Sequence, residues 1–231
     1  MKVRHLHGWN ITCNEALAIQ QRLKDMLILQ DEPFVTRRME TVAGADISCT
    51  KGSGMLFAAV TLFSYPSLEI LEEARFIDRT DFPYIPGLLS FREGPALLKA
   101  FSILRLSPDF IIFDGQGIAH PRGIGLASHM GLCLDVPTIG CAKTILVGSH
   151  GEIGAERGSR ADLLWKNMLV GAALRTRTGV KPVFVSQGNR ITLGSAVDLV
   201  LSCCKGYRLP EPVRRAHLAV NAMRKSYTGP A

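Results

Sequence analysis

Four consecutive apolar residues, Phe110-Ile-Ile-Phe113, stop abruptly on Asp114. A run this short and this continuously apolar reads as a strand buried on both faces. No other feature constrains the chain as much. A strand covered on both sides needs layers above and below it, and so an α/β sheet. Asp114 opens the string Asp114-Gly-Gln-Gly-Ile-Ala-His120-Pro-Arg122. Open α/β sheets carry their chemistry beyond the carboxyl ends of the strands, which is where this carboxylate falls. Gly115 and Gly117 let backbone approach a ligand closely. His120 and Arg122 add a titratable ring and a fork suited to phosphate. A plain Asp-Gly turn at a strand end is the competing reading, and on this string alone the two stand even.

The rest of the pattern supplies the layers. Thr12-Cys-Asn-Glu15 has the form of a capping box, and the helical spacing after it predicts a helix over about 13–30, ended by Pro33. Three strand-like runs follow at 41–48, 55–65 and 68–77, joined by turns at 51–54 and 65–67. Short turns between successive strands imply an antiparallel meander. A helix from about Leu88 or Pro95 to Leu106, the Asp114 strand, a helix over 123–134 and a strand over 137–143 come next. Residues 148–160 are rich in glycine and charge and read as a mobile surface loop. Strands at 170–176 and 183–186, turned at Thr178-Gly179, precede helices at about 192–204 and 212–225. The right-handed crossover rule then builds one α/β domain over residues 1–231, a mixed sheet with helices on both faces. That element order is the ribonuclease H-like arrangement.

Composition narrows the function. The chain has 231 residues, 47% hydrophobic and 20% charged, which marks it as globular. No run of about 18 apolar residues predicts a membrane span. The first ten residues lack the apolar stretch of a signal peptide, so the expected compartment is the cytoplasm. A formal net charge of +7 favours a polyanionic partner. None of the six cysteines falls in a Cys-x-x-Cys arrangement, which speaks against a zinc site and for a reducing compartment.

Three carboxylates occupy telling places. Asp46 lies in the first strand between Ala45 and Ile47, where a polar residue without a partner is expensive. Glu93 lies near the start of the helix after the meander. Ser90-x-x-Glu93 also matches a capping box there, although Pro95 prefers the first helical position. Asp114 ends the fourth strand. With the first and fourth strands parallel neighbours, the three acids can meet. Such a cluster repels itself unless cations neutralise it, and Mg²⁺ or Mn²⁺ are its natural occupants. Those ions activate water and stabilise charge on a phosphodiester. Lys143 stands at another strand end, where a phosphate-binding lysine and an ordinary solvated one look alike. His217 lies in the last helix, where a packing residue competes with a metal or water partner. Pro83-Tyr84-Ile85-Pro86-Gly87 holds an aromatic between two prolines, a stiff wedge or a core tyrosine beside a turn.

Together these strings resemble the endonuclease V family, the deoxyinosine 3′ endonucleases. The resemblance rests on Ala43-Gly-Ala-Asp-Ile47, Tyr65-Pro-Ser-Leu68, Pro83-Tyr-Ile-Pro-Gly87, Leu89-Ser-Phe-Arg-Glu93, Asp114-Gly-Gln-Gly117, His120-Pro-Arg122, Ala127-Ser-His129, Asp135-Val-Pro-Thr-Ile-Gly140, Ala142-Lys143 and Tyr207-Arg-Leu-Pro-Glu-Pro212. It implies a ribonuclease H-like fold in which Asp46, Glu93 and Asp114 hold Mg²⁺, with Mn²⁺ as substitute. It implies that Lys143 and His217 assist at the scissile phosphate. Tyr84 is implied as the wedge, flanked by Pro83, Ile85 and Pro86. Gly87, Leu89, Gly115, His120, Gly125 and Leu126 are implied to surround the extruded hypoxanthine. The implied reaction is a nick at the second phosphodiester 3′ to deoxyinosine, leaving 3′-hydroxyl and 5′-phosphate ends, by a monomer acting on DNA. Inosine-containing RNA is the alternative substrate, and a binding module without catalysis the alternative class. The family presents Asp or His at the position of His217. Asn189 stands where other members often carry His, so that histidine's role does not carry over.

Overall fold

The computed structural model describes residues 1–31, 39–50 and 53–228. Pro33 and the first half of the turn at 51–54 lie outside the described residues. Helix α1 (Cys13–Lys24) precedes the strands β1 (Thr41–Cys49), β2 (Met55–Ser64) and β3 (Ile70–Arg79). Then come α2 (Leu89–Ile103), β4 (Phe110–Phe113), α3 (Leu126–Leu134) and β5 (Thr138–Ala142). Strands β6 (Ser149–His150), β7 (Arg160–Trp165), β8 (Met168–Leu174) and β9 (Val183–Asn189) follow, and α4 (Leu193–Ser202) and α5 (Glu211–Ser226) close the order.

Among the described residues the strands form one nine-stranded sheet in the order β3-β2-β1-β4-β5-β9-β8-β7-β6. The meander β1-β2-β3 is antiparallel, while β1, β4 and β5 run parallel at the centre. This is the mixed ribonuclease H-like sheet that the element order predicts. Alternation along the strands sorts the side chains into two cores. Ala43, Ala45, Ile111 and Phe113 join α2 and α3 on one face. Val42, Phe110, Ile112, Ile139 and Cys141 join α4 and the start of α5 on the other. Every member of the Phe110–Phe113 run is fully buried, as a strand between two helical layers must be.

Alternation also aims the polar residues beyond the strand ends. Asp46, Asp114 and Lys143 share the parity of Val42, Ile112 and Cys141, and so turn toward the α5 side. Parallel pairing sets Ala45 opposite Phe113, so the next residues, Asp46 and Asp114, are neighbours. The Asp114 N–H donates to the Ala45 carbonyl at 3.2 Å and continues the ladder to that point.

Three sequence expectations are corrected. The segment at 148–160 is bounded by two short strands, β6 and β7, at the sheet edge. Helix α1 ends at Lys24, not near residue 30. The chain beyond is drawn to the end of β9, where Ile28 N–H donates to Asn189 Oδ1 and Arg190 N–H donates to the Ile28 carbonyl. Helix α3 begins at Leu126, after an extended Gly125, not at residue 123. Of the two starts the sequence offers for α2, the one at about Leu88 is found, with Pro95 inside the helix. Leu88 and Phe91, packed against Ala16 of α1, settle the choice, so tertiary packing overrides the proline signal. The capping box at Thr12 and Glu15 is present. All six cysteines are free. Among the described residues no helix is long and apolar enough to cross a membrane.

Candidate active site

The acids converge where the central strands end. Ligand atoms of Asp46, Asp114 and His217 all lie within 4.8 Å of one another. His217 Nδ1 lies 2.7 Å from Asp46 Oδ2, and Lys143 Nζ donates to Asp114 Oδ2. Asn221 donates to His217 Nε2 at 3.1 Å. That nitrogen therefore accepts, and a neutral His217 carries its hydrogen on Nδ1, pointed at Asp46. Glu93 reaches the same strand ends from α2, on the opposite side of the sheet.

The electrostatics record crowding. Burial and the Asp114 carboxylate push Asp46 up to about 6, against the hydrogen bond from His217 and the charge of Lys143. Burial first, then the charges on Asp46 and Asp114, push Glu93 up to about 8, against Arg92. Carboxylic acids held protonated by their neighbours' negative charge want a positive charge among them. Oxygen donors with one imidazole, in a site partly open on the His217 side, suit a hard divalent cation. Asp46 and Asp114, with His217 beside them and Glu93 near, are the residues that would hold it.

His217 arrives because α5 lies directly on β1. A β-carbon on Gly44 would fall 2.1 Å from the Pro212 carbonyl carbon, so only glycine lets the backbone of α5 come this close. Two residues beyond Gly44 on the same face stands Asp46. One and a half turns along α5 from Pro212 stands His217.

A cavity of about 320 Å³ opens beside the acids. Asp114 and Lys143 belong to both. Tyr84, Ile85, Pro86, Gly87, Leu89, Gly115, His120, Gly125 and Leu126 line it. Pro83 does not, and faces a separate cleft with Trp9 and Asp78. Tyr84 is 69% exposed, which removes the core-tyrosine reading. Its loop is anchored on both sides, with Phe82 and Ile85 packed on Leu88 and Phe91 and with Arg92 donating to the Phe82 carbonyl.

Gly87 adopts φ +82°, in the left-handed region, and its carbonyl is held by three donors. Gln20 Nε2 lies at 2.9 Å, Arg122 Nη2 at 2.6 Å and His120 Nε2 at 3.0 Å. The Arg122 backbone N–H donates to His120 Nδ1, so the ring hydrogen sits on Nε2. Burial and the Arg122 charge push His120 down to about 4. His120 is thus a neutral, fixed donor at physiological pH. Arg122 also donates to Gln20 Oε1 at 2.5 Å, so two of its donors are spent inside the protein and not on a phosphate.

Sequence reasoning missed Ser90, Gln116 and residues 144–146 of the cavity wall, Gln20 behind Gly87 and Asn221 behind His217. A glutamine in an amphipathic helix and a serine near a helix start carry no local signal of such contacts. Asn189 is buried and structural. Its Oδ1 accepts from Ile28 N–H, and its Nδ2 donates to the Gly131 carbonyl at 3.3 Å.

The geometry has close relatives. The family model for Endonuclease V matches residues 21–218. An Endonuclease V from Gloeobacter violaceus is 48% identical over 224 residues, 96% of this chain and 90% of that protein. The crystal structure of Endonuclease V from Streptomyces avermitilis superimposes with a TM-score of 0.88 at 41% identity, covering 98% of this chain and 99% of that one. An Endonuclease V from Ciona intestinalis, solved with a 23mer DNA containing an inosine followed by a ribo-adenosine, gives a TM-score of 0.82 at 26% identity, covering 93% and 99%. Family match, identity along nearly the whole chain and shared fold all agree with the strings around Asp46, Glu93 and Asp114, and the chain belongs to the Endonuclease V family of endonucleases.

Proposed function

We propose that this chain is a metal-dependent DNA repair endonuclease. It recognises deoxyinosine and hydrolyses the second phosphodiester on the 3′ side, leaving 3′-hydroxyl and 5′-phosphate ends. The observation that carries the reading is the shared wall. Asp114 and Lys143 belong at once to the acidic cluster and to a cavity beside an exposed, anchored Tyr84. A base lodged in the cavity sets its own strand next to the acids. The Ciona intestinalis relative bound to inosine-containing DNA supports this choice of substrate. The cleavage position follows the family resemblance.

The chain's residues divide the work. Tyr84, the wedge, fills the gap an extruded base leaves, and extrusion costs least where pairing is weak. Gly87, Gly115 and Gly125 offer backbone to the base edge. Lys143 brings positive charge to the scissile phosphate. His217 orients Asp46 by donating to it. Glu93, held half-buried and near pKa 8, gives up its proton only when positive charge reaches the cluster. Asp46, Asp114 and Glu93 would hold a Mg²⁺ ion, or Mn²⁺ in its place, which would supply Lewis acidity toward the phosphate and the attacking water. The net charge of +7 suits the polyanion. We assign the protein to the cytoplasm as a monomer, in keeping with its six free cysteines.

Nicking of a duplex with one deoxyinosine, with Mg²⁺ and with chelator, tests the proposal. The parent should cut only with the ion, and Asp114→Ala should not cut. Equal cutting by both removes the assigned site. No cutting by either leaves a binding module. A matched strand carrying inosine in RNA addresses the second reading, and equal or faster RNA cleavage would replace DNA as substrate.

A further inference from the structure

Ser90 is buried on the wall of the base cavity, in the first turn of α2. Its hydroxyl does not cap the helix. It lies 3.0 Å from Nδ1 of His129, a wholly buried ring in α3. His129 Nε2 lies 2.7 Å from Nε2 of His7, and His7 Nδ1 lies 2.6 Å from the Gly8 carbonyl oxygen. A column of three hydrogen bonds thus runs from the N-terminal segment to the cavity. Trp9 stacks on His129 with centroids 5.4 Å apart, and Phe91 meets it edge-on at 5.0 Å.

The far end of the column fixes every proton in it. A carbonyl oxygen only accepts, so His7 Nδ1 carries hydrogen. A neutral imidazole has one N–H, so His7 Nε2 is bare. The hydrogen in the 2.7 Å contact must then sit on His129 Nε2. His129 is neutral, pushed down to about 3 by burial and by His7, so its Nδ1 is bare and takes the Ser90 hydrogen. Ser90 shows the cavity lone pairs only. One proton added to His7 reverses each bond in turn. His7 Nε2 then donates, His129 moves its hydrogen to Nδ1, and the Ser90 hydrogen is released toward the cavity.

We infer that Ser90 is a specificity-determining residue, its hydroxyl held as an acceptor by the His7–His129 column and turned into a donor when His7 is protonated. This rests on the reading of the cavity as a base pocket. Deamination of adenine places a hydrogen on N1 of the purine, where adenine has a lone pair. An acceptor at that edge favours hypoxanthine, and a donor favours adenine. Around His7, the charged group is Arg22 of α1 and the titratable one is His129 of α3, while Trp9 and Phe91 supply uncharged faces. Burial holds His7 below the ordinary imidazole range, the Gly8 contact opposes it, and Arg22 adds to it. The acceptor state therefore prevails at neutral pH and reverses only below the ordinary imidazole range.

Histidine-ring ¹⁵N spectra of the intact protein read the tautomers without substrate. His129 should carry its hydrogen on Nε2 at pH about 8 and on Nδ1 once His7 has titrated. An Nδ1 hydrogen at pH about 8 would overturn the inference. Nicking supplies the second arm, as the ratio of kcat/KM for deoxyinosine over deoxyadenosine, in which the shared pH dependence of catalysis cancels. Ser90→Ala should lower that ratio about tenfold, the usual worth of one neutral hydrogen bond. His7→Phe, a change at the half-buried end of the column, should make the ratio independent of pH between about 8 and 5. Should Ser90→Ala fail to fold, the tautomers and His7→Phe decide the matter. Unchanged ratios in both folded variants sink the inference. A parent with no preference for deoxyinosine sinks the proposed function instead, and leaves the tautomers to stand or fall separately.

Discussion

Asp46→Asn should make the metal-free protein more stable while abolishing cleavage. Asp46 is 9% exposed, and burial together with Asp114 lifts its carboxyl from 3.8 to about 6. A group whose folded pKa is raised binds its proton more tightly in the native state. Stability is therefore greatest below the unfolded pKa and falls as pH climbs through the window from 3.8 to about 6. Above that window the full penalty applies. Two units at about 1.4 kcal/mol each give roughly 3 kcal/mol. The folded value already contains the opposing hydrogen bond from His217 and the charge of Lys143, so the amide, which resembles the protonated acid, recovers the whole of it. A gain of about 3 kcal/mol corresponds to a rise in melting temperature of roughly 6–12 °C for a domain of this size. Thermal denaturation with chelator at pH about 8 measures it. At pH about 4 the parent's Asp46 is protonated and the two proteins should melt together. With saturating Mg²⁺ the order should reverse, because only the parent gains from the ion. An Asn variant that melts below the parent in chelator at pH about 8 would show that charge crowding does not govern this site.

Other substitutions probe the scaffold. Gly44→Ala drives a methyl into the Pro212 backbone, so α5 must shift. It should cost about 1–3 kcal/mol by chemical denaturation, with cleavage falling as His217 leaves Asp46, and unchanged stability would refute the close-approach argument. Arg122→Ala strips the Gly87 carbonyl of one donor and frees Gln20. It should raise KM for a deoxyinosine duplex several-fold with little change in kcat, and a loss confined to kcat would count against a positioning role. Tyr84→Ala should reduce the preference for deoxyinosine and leave the Mg²⁺ titration of cleavage unmoved, since the exposed ring lies on the cavity wall and not among the acids.

What was legible beforehand depended on how local its physics is. The Phe110–Phe113 run announces a doubly covered strand by itself, and alternation in β1 and β4 then turns Asp46 and Asp114 to the same side once the strands are parallel. Those two acids could be foreseen from pattern. The short edge strands β6 and β7 could not, because an exposed edge imposes no strict alternation and their stretch is dominated by glycine and charge. Pro95 left the start of α2 open for a related reason. Its preference for a helix start is a weak local bias, and burial of Leu88 and Phe91 against α1 outweighs it. The support of the cavity was the least legible. Gln20 lies far in sequence from His120 and Arg122, yet all three meet on the Gly87 carbonyl. His7, His129 and Ser90 meet in one column. A buried hydrogen bond leaves no periodic trace, because its partners are chosen by the fold and not by neighbours in the chain. Chemistry placed at strand ends is therefore readable from the sequence, whereas the contacts that aim it become visible only in three dimensions. For that reason the base preference of this site should prove more sensitive to His7, His129 and Gln20 than any motif around Asp114 suggests.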